Sequence, residues 1–151
     1  MNVRIMTLQL RDENQILQEL MDSCKKIIGK NLKAVILFGS RASGTAKKYS
    51  DYDILIIADD LPLDWRRRDT IILELDRHGI FDILIYTDEE LEKAINAVNP
   101  LIMNIFDRPH KILYGKSFIS KKARLISDEI IQRHILRLGK NTWKITGGIN
   151  V

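Results

Sequence analysis

Asp51 and Asp53 stand one residue apart at the head of an apolar run, Ile54 to Ala58. In a strand, residues two apart share a face, and the strand rise sets their backbones roughly 6–7 Å apart. Two carboxylates so placed can converge on a pair of divalent ions, which two-metal centres hold about 3.5–4 Å apart. Magnesium takes hard oxygen ligands and fills its shell with water and substrate phosphates. Two aspartates leave such a centre short of protein ligands, so a third acid is expected. Asp82 is the candidate. It lies inside GIFDILIYT, between Phe81 and Ile83, and a carboxylate in an apolar strand is costly to desolvate unless paired or metal-bound. The plain alternatives are a strand-edge Asp82 bonded to a nearby cation and a turn residue at Asp51.

Ten residues separate Asp51 from a Gly39-Ser40 pair, which itself ends an apolar run from Ala34 to Phe38. Glycine lets backbone approach a phosphate closely, and a helix N-terminus presents free amides and a positive dipole end. Ser40 adds a hydroxyl donor and is expected to cap a short helix running to Gly44. Arg41 lies beside the turn, where a phosphate contact and a solvated arginine are equally consistent with its position. Gly-Ser alone is an ordinary strand-to-helix turn. Its combination with Asp-x-Asp and a later strand aspartate is far more specific.

These residues need elements to hold them. Leu17, Leu20, Met21, Cys24, Ile27 and Ile28 recur at helical spacing over about 11–28, and Gly29 stops that helix. Strands are expected over 33–38, 51–58 and 80–86. Asp64 caps a helix to about His78, with Trp65, Ile72 and Leu75 inward and WRRRD as a surface patch. Thr87 and Glu90 match a capping box, and Asn99-Pro100 starts a further helix. An edge strand is expected over 111–114. A last helix is expected over 127–138, with His134 on its apolar face and an exposed Trp143 beyond it. Residues 115–127 are expected to join it to the core. The order is that of one small α/β domain.

Composition bounds the class. At 151 residues, with 45% hydrophobic and 29% charged residues, the chain is globular. It carries no membrane-length apolar run and no secretory leader pattern. The lone Cys24 sits on a helix stripe and reads as a buried, inert thiol in a reducing cytoplasm. Residues 107–151 hold ten Lys/Arg against three Asp/Glu, so a net charge of +4 hides a basic C-terminal part. That part suits a phosphate-rich or acidic partner, nucleic acid included, or plain solvation.

Gly39-Ser40, Ala42 and Gly44 of GSRASG, Ser50-Asp51-Tyr52-Asp53 and Asp82 together resemble the DNA polymerase β-like nucleotidyltransferase superfamily, in its minimal single-domain branch. NPLIMNIFDRPHKILYG resembles the stretch that follows the third strand in that branch. The resemblance spans about 10–115. It implies a small mixed sheet with helices packed on one side, as a nucleotidyltransferase domain over 1–115 with a basic helical extension over 116–151.

By resemblance, Asp51, Asp53 and Asp82 bind two Mg²⁺ ions, or Asp82 serves as the base. Gly39 and Ser40 grip the phosphates of a nucleoside triphosphate, with Arg41 alongside. The implied reaction is transfer of AMP from ATP to a hydroxyl. The implied acceptor is a tyrosine on an all-helical HEPN partner, with this chain as the antitoxin of a toxin–antitoxin pair. Two alternatives stay open at this point: an antitoxin acting by complex formation alone, and nucleic-acid binding through the basic segment. The stripe of the last helix predicts a dimer or partner contact.

Overall fold

The computed structural model describes residues 12–133, 135–137 and 143–145. Helix α1 runs Glu13–Ile27 and is capped by Asp12, whose carboxylate accepts from the Gln15 amide at 2.7 Å. Its apolar stripe buries Ile16, Leu17, Leu20, Met21 and Cys24. Burial pushes the Cys24 thiol up to about 12, as an inert core cysteine requires. A 3₁₀ turn, Gly29–Asn31, leads to β1, Leu32–Phe38. Then follow α2 (Ser40–Ser43), β2 (Tyr52–Ala58), α3 (Trp65–Leu75), β3 (Phe81–Tyr86), α4 (Asp88–Asn96) and α5 (Pro100–Asp107). The described chain continues with β4 (Lys111–Tyr114), α6 (Lys116–Arg133), β5 (Ile135–Arg137) and β6 (Trp143–Ile145).

The main sheet has the order β3-β2-β1-β4. β1 is antiparallel to β2 and to β4, while β2 and β3 are parallel. A parallel pair cannot close through a tight hairpin, and α3 provides its crossover. β5 and β6 form a separate antiparallel pair.

Helices cover both faces of the sheet, not one. Val35, Leu37, Ile54, Ile56, Ile83 and Ile85 pack on α1 and on Leu75 of α3. The alternate residues Ala34, Ile36, Leu55 and Ile57 pack on Leu91 and Ile95 of α4, Ile102 and Ile105 of α5, and Ile119 and Ile126 of α6. Strands buried on both sides must be apolar throughout, and AVIL and ILIIA are. Each fully buried Leu or Ile contributes roughly 1.5–3 kcal/mol relative to exposure.

Local signals hold at two helix starts. Thr87 Oγ1 accepts from the Glu90 amide at 3.1 Å while Glu90 Oε1 accepts from the Thr87 amide at 2.9 Å. Asn99 Oδ1 accepts from the Leu101 and Ile102 amides, with Pro100 at the first helical position. Elsewhere the sequence misleads. Trp65 is 53% exposed, edge-on to Tyr86, whereas Arg68 of the supposed surface patch is 1% exposed. Its Nη1 donates to both Glu90 oxygens, at 2.6 and 2.9 Å, its Nε to Pro62 O at 2.6 Å, and its guanidinium lies over Trp65.

The C-terminal helix begins at Lys116 rather than near 127 and ends at Arg133. Lys122, buried on α6, reaches Asp88 at 2.5 Å and Glu92 at 2.7 Å on α4. His134, the expected helix end at 138–139 and the Trp143 side chain lie outside the described residues.

Candidate active site

Three segments meet at one end of the sheet: the exit of β1, the entry of β2 and the entry of β3. Asp53 is the Cα partner of Phe38 on one side and of Asp82 on the other. Neighbouring strands run about 4.8 Å apart, so register alone sets Asp53 and Asp82 side by side. Both continue the sheet face that Leu55, Ile57 and Leu84 present to α4, α5 and α6. Asp51 precedes β2 and is exposed, as is Asp82, while Asp53 is half-buried. Burial first, then the charges of Asp82 and Asp51, push the Asp53 carboxyl above its ordinary range. Like charges held together in this way are relieved by a bound cation or by a proton.

Gly39 closes the other side of Asp53. It sits at φ 70° and ψ −156°, before the first turn of α2. A Cβ there would overlap Asp53 Oδ2 and lie 3.0 Å from its Cγ. The glycine is therefore required twice, by its dihedrals and by the carboxylate it touches. Ser40 is not the cap expected from the sequence. Gly39 occupies that position without a side chain, and Ser40 is the first residue of α2. The first turn still leaves amides without intrahelical acceptors.

Arg41 is engaged by the loop that leads to the aspartates. Its Nε donates to Ser50 O at 3.1 Å, and its Nη2 donates to Ser50 O at 2.9 Å and Lys48 O at 3.3 Å. Its guanidinium lies 4.6 Å from the Tyr52 ring centroid. These bonds tie the Gly-Ser turn to the loop that carries Asp51.

A cleft of about 350 Å³ adjoins the turn, with Gly39, Ser40, Ser43 and Thr45 on one wall and Leu101, Asn104, Ile105 and Arg108 on the other. Sequence reading missed the α5 wall. Its only signal is the four-residue spacing of Asn104 and Arg108, which no motif marks.

The donor set is hard oxygen throughout. Among the described residues, no three His, Cys, Asp or Glu side chains are gathered closely enough to enclose an ion by themselves. Magnesium is commonly bound by one or two carboxylates plus substrate phosphates, not by an all-protein cage, so this set fits it.

Comparison with known proteins bears on the same segments. The family profile described as polymerase beta, nucleotidyltransferase matches residues 18–118. The chain belongs to that family. Nucleotidyltransferases generally use a divalent metal. A relative in Methanocaldococcus jannaschii, named a putative protein adenylyltransferase, is 39% identical over 139 residues, covering 87% of this chain and 93% of its own. A probable protein adenylyltransferase of Haemophilus influenzae is 40% identical over 70 residues, covering 43% of this chain and 60% of its own. Among solved structures, a toxin–antitoxin crystallised with AMP-PNP aligns with a TM-score of 0.51 at 20% identity, over 78% of this chain and 85% of that one. That match shows the nucleotidyltransferase fold. Among the described residues, no helix is long and apolar enough to cross a membrane.

Proposed function

We propose that this chain transfers AMP from ATP to a hydroxyl of a partner protein, with two magnesium ions, in the cytoplasm. The observation that carries the reading is the register of Asp53 with Asp82 against a glycine that must lack a side chain. The names of its relatives, protein adenylyltransferases, support AMP as the group and protein as the acceptor. The resemblance supports a tyrosine of a HEPN protein as that acceptor, and an antitoxin's role.

In this reading Asp51 and Asp53 hold the ions, with Asp82 completing the centre or taking the acceptor's proton. Bound magnesium neutralises phosphate oxygens and holds attacking and leaving groups in line. The chain's own contribution is placement. Gly39 lets the phosphate chain approach Asp53 closely, and Ser40 donates from its hydroxyl. Arg41 fixes the loop carrying Asp51. Asp82, being exposed, is open to an incoming hydroxyl. Preorganised positioning of this kind supplies much of the barrier lowering in phosphoryl chemistry.

The experiment is label transfer from ATP, labelled in its α-phosphate, to candidate acceptor proteins, including any helical protein encoded beside the gene. Wild type should label an acceptor and Asp51→Ala/Asp53→Ala should not. Equal labelling by the double variant refutes the assignment. Full neutralisation of a toxic neighbour by that variant replaces the reading with one of binding alone.

A further inference from the structure

We infer that Tyr49 is a self-modification site, an acceptor on this chain for its own adenylyl transfer. The inference rests on the reading of the site as an adenylyltransferase. Tyr49 lies two residues before Asp51 at the tip of a closed turn. The Ser50 amide donates to Lys47 O at 3.0 Å, and the Lys47 amide donates to Ser50 Oγ at 2.9 Å. The carbonyls on either side of Tyr49, of Lys48 and Ser50, both accept from Arg41 Nη2. With the flanking backbone held inward, the ring is displayed outward, and Tyr49 is 70% exposed. At that exposure the ring buries little surface, and Asp51 follows two residues on.

Nucleotidyl transfer needs a hydroxyl; that of Ser40 is assigned above to the phosphates, and several others nearby are engaged. Ser43 Oγ donates to Ser40 O and pairs with Thr45 Oγ1 at 2.8 Å. Ser50 Oγ receives the Lys47 amide. Tyr52 is buried beneath Arg41, and burial raises its pKa, with Arg41 opposing. Tyr49's hydroxyl takes no hydrogen bond among the described residues. Of the four tyrosines, Tyr86 closes β3 at the end opposite Asp82, and Tyr114 pairs with Val35, three residues down β1 from Phe38. Tyr49 alone is both exposed and at the carboxylate end. The Lys48 ammonium, 5.6 Å from its ring centroid, supplies a cation beside the phosphate that would result.

The step balances. Tyr49 Oη forms a bond to the α-phosphorus of ATP, and the bond from that phosphorus to the bridging oxygen breaks. Pyrophosphate leaves with the electron pair, and the phenolic proton passes to a site carboxylate or to water. The product is a tyrosyl–AMP phosphodiester.

The test uses the full chain with ATP and magnesium, without a partner protein. Intact mass and peptide mapping read the modification, and calorimetry reads ATP binding. Wild type and Tyr114→Phe should gain one adenylyl group, mapped to 47–51. Tyr49→Phe should fall to background while binding ATP as wild type does. Modification persisting in Tyr49→Phe, or none in a wild type that binds ATP, overturns the inference and leaves the adenylyltransferase reading standing. A wild type that neither binds ATP nor labels overturns both.

Discussion

Replacing Gly39 with alanine tests the placement of Asp53 directly. The backbone at φ 70° and ψ −156° lies where only glycine is at ease, and holding another residue there costs about 1–3 kcal/mol. In a chain of this length each kcal/mol moves the melting midpoint by roughly 2–4 °C, so Gly39→Ala should melt about 2–12 °C lower. The new Cβ also overlaps Asp53 Oδ2 and sits 3.0 Å from Cγ, so the carboxylate has to move. A displacement of about 1 Å at a reacting centre costs about 10²-fold in rate, and a loss of at least that order is expected in AMP transfer. Gly44→Ala is the control. Gly44 is also left-handed, at φ 79° and ψ 15°, but a Cβ there meets nothing within 4 Å. It should lose about 1–2 kcal/mol of stability and keep its transfer rate. The assays are thermal melting of both variants and initial-rate transfer from labelled ATP well below either midpoint. Undiminished transfer by Gly39→Ala, or equal loss in both variants, refutes the reasoning.

Asp53 should also show itself through pH. Its folded carboxyl is raised by burial and by Asp82 and Asp51, so its ionised form disfavours the metal-free fold above that raised value. Asp53→Asn should therefore melt higher than wild type at neutral pH without metal. The gain should shrink as pH falls through the raised pKa, while magnesium should stabilise wild type alone. The pair of buried Arg68 with the partly exposed Glu90 gives a second, independent measurement. Arg68→Met leaves Glu90, itself 30% exposed, with its Thr87 bond alone and should cost about 1–2 kcal/mol in urea unfolding at neutral pH. Burial alone would raise Glu90, but the bonds from Arg68 and Thr87 win and hold it below its ordinary range. The pair's stabilisation should thus be present above that ordinary range and be lost as pH falls through the lowered pKa.

What the sequence disclosed was local or periodic. The capping box at Thr87 and the Asn99-Pro100 start are set by neighbours within four residues, and both hold. Asp82 was legible as an acid out of place in an apolar run and Asp53 as half of an Asp-x-Asp pair heading another, and the sheet pairs them. The covering of both sheet faces was also legible, in the unbroken apolar runs of β1 and β2, but the family resemblance drew the reading toward one side. Other features depended on partners distant in sequence. Arg68 is buried because Glu90, 22 residues on, and Pro62 O receive it. On α6, Lys122 sits in the stripe of Ile119 and Ile126 because Asp88 and Glu92 neutralise it. That lysine interrupts the apolar period and hides the first half of the helix. Ser40 and Gly39 exchanged roles because the positive φ that Gly39 adopts is not written in a Gly-Ser pair.

The sheet divides labour between its two ends. All three acids and the glycine turn lie where β2 and β3 begin, whereas the connection leaving β2 emerges at the far rim and carries Leu63, 92% exposed. Rungs of the β2–β3 ladder fix the acids' separation, so a reporter side chain on that distant bend leaves the chemistry untouched. The place for it is Leu63, because Pro62 O beside it must stay to receive Arg68 and Leu61 packs on the core.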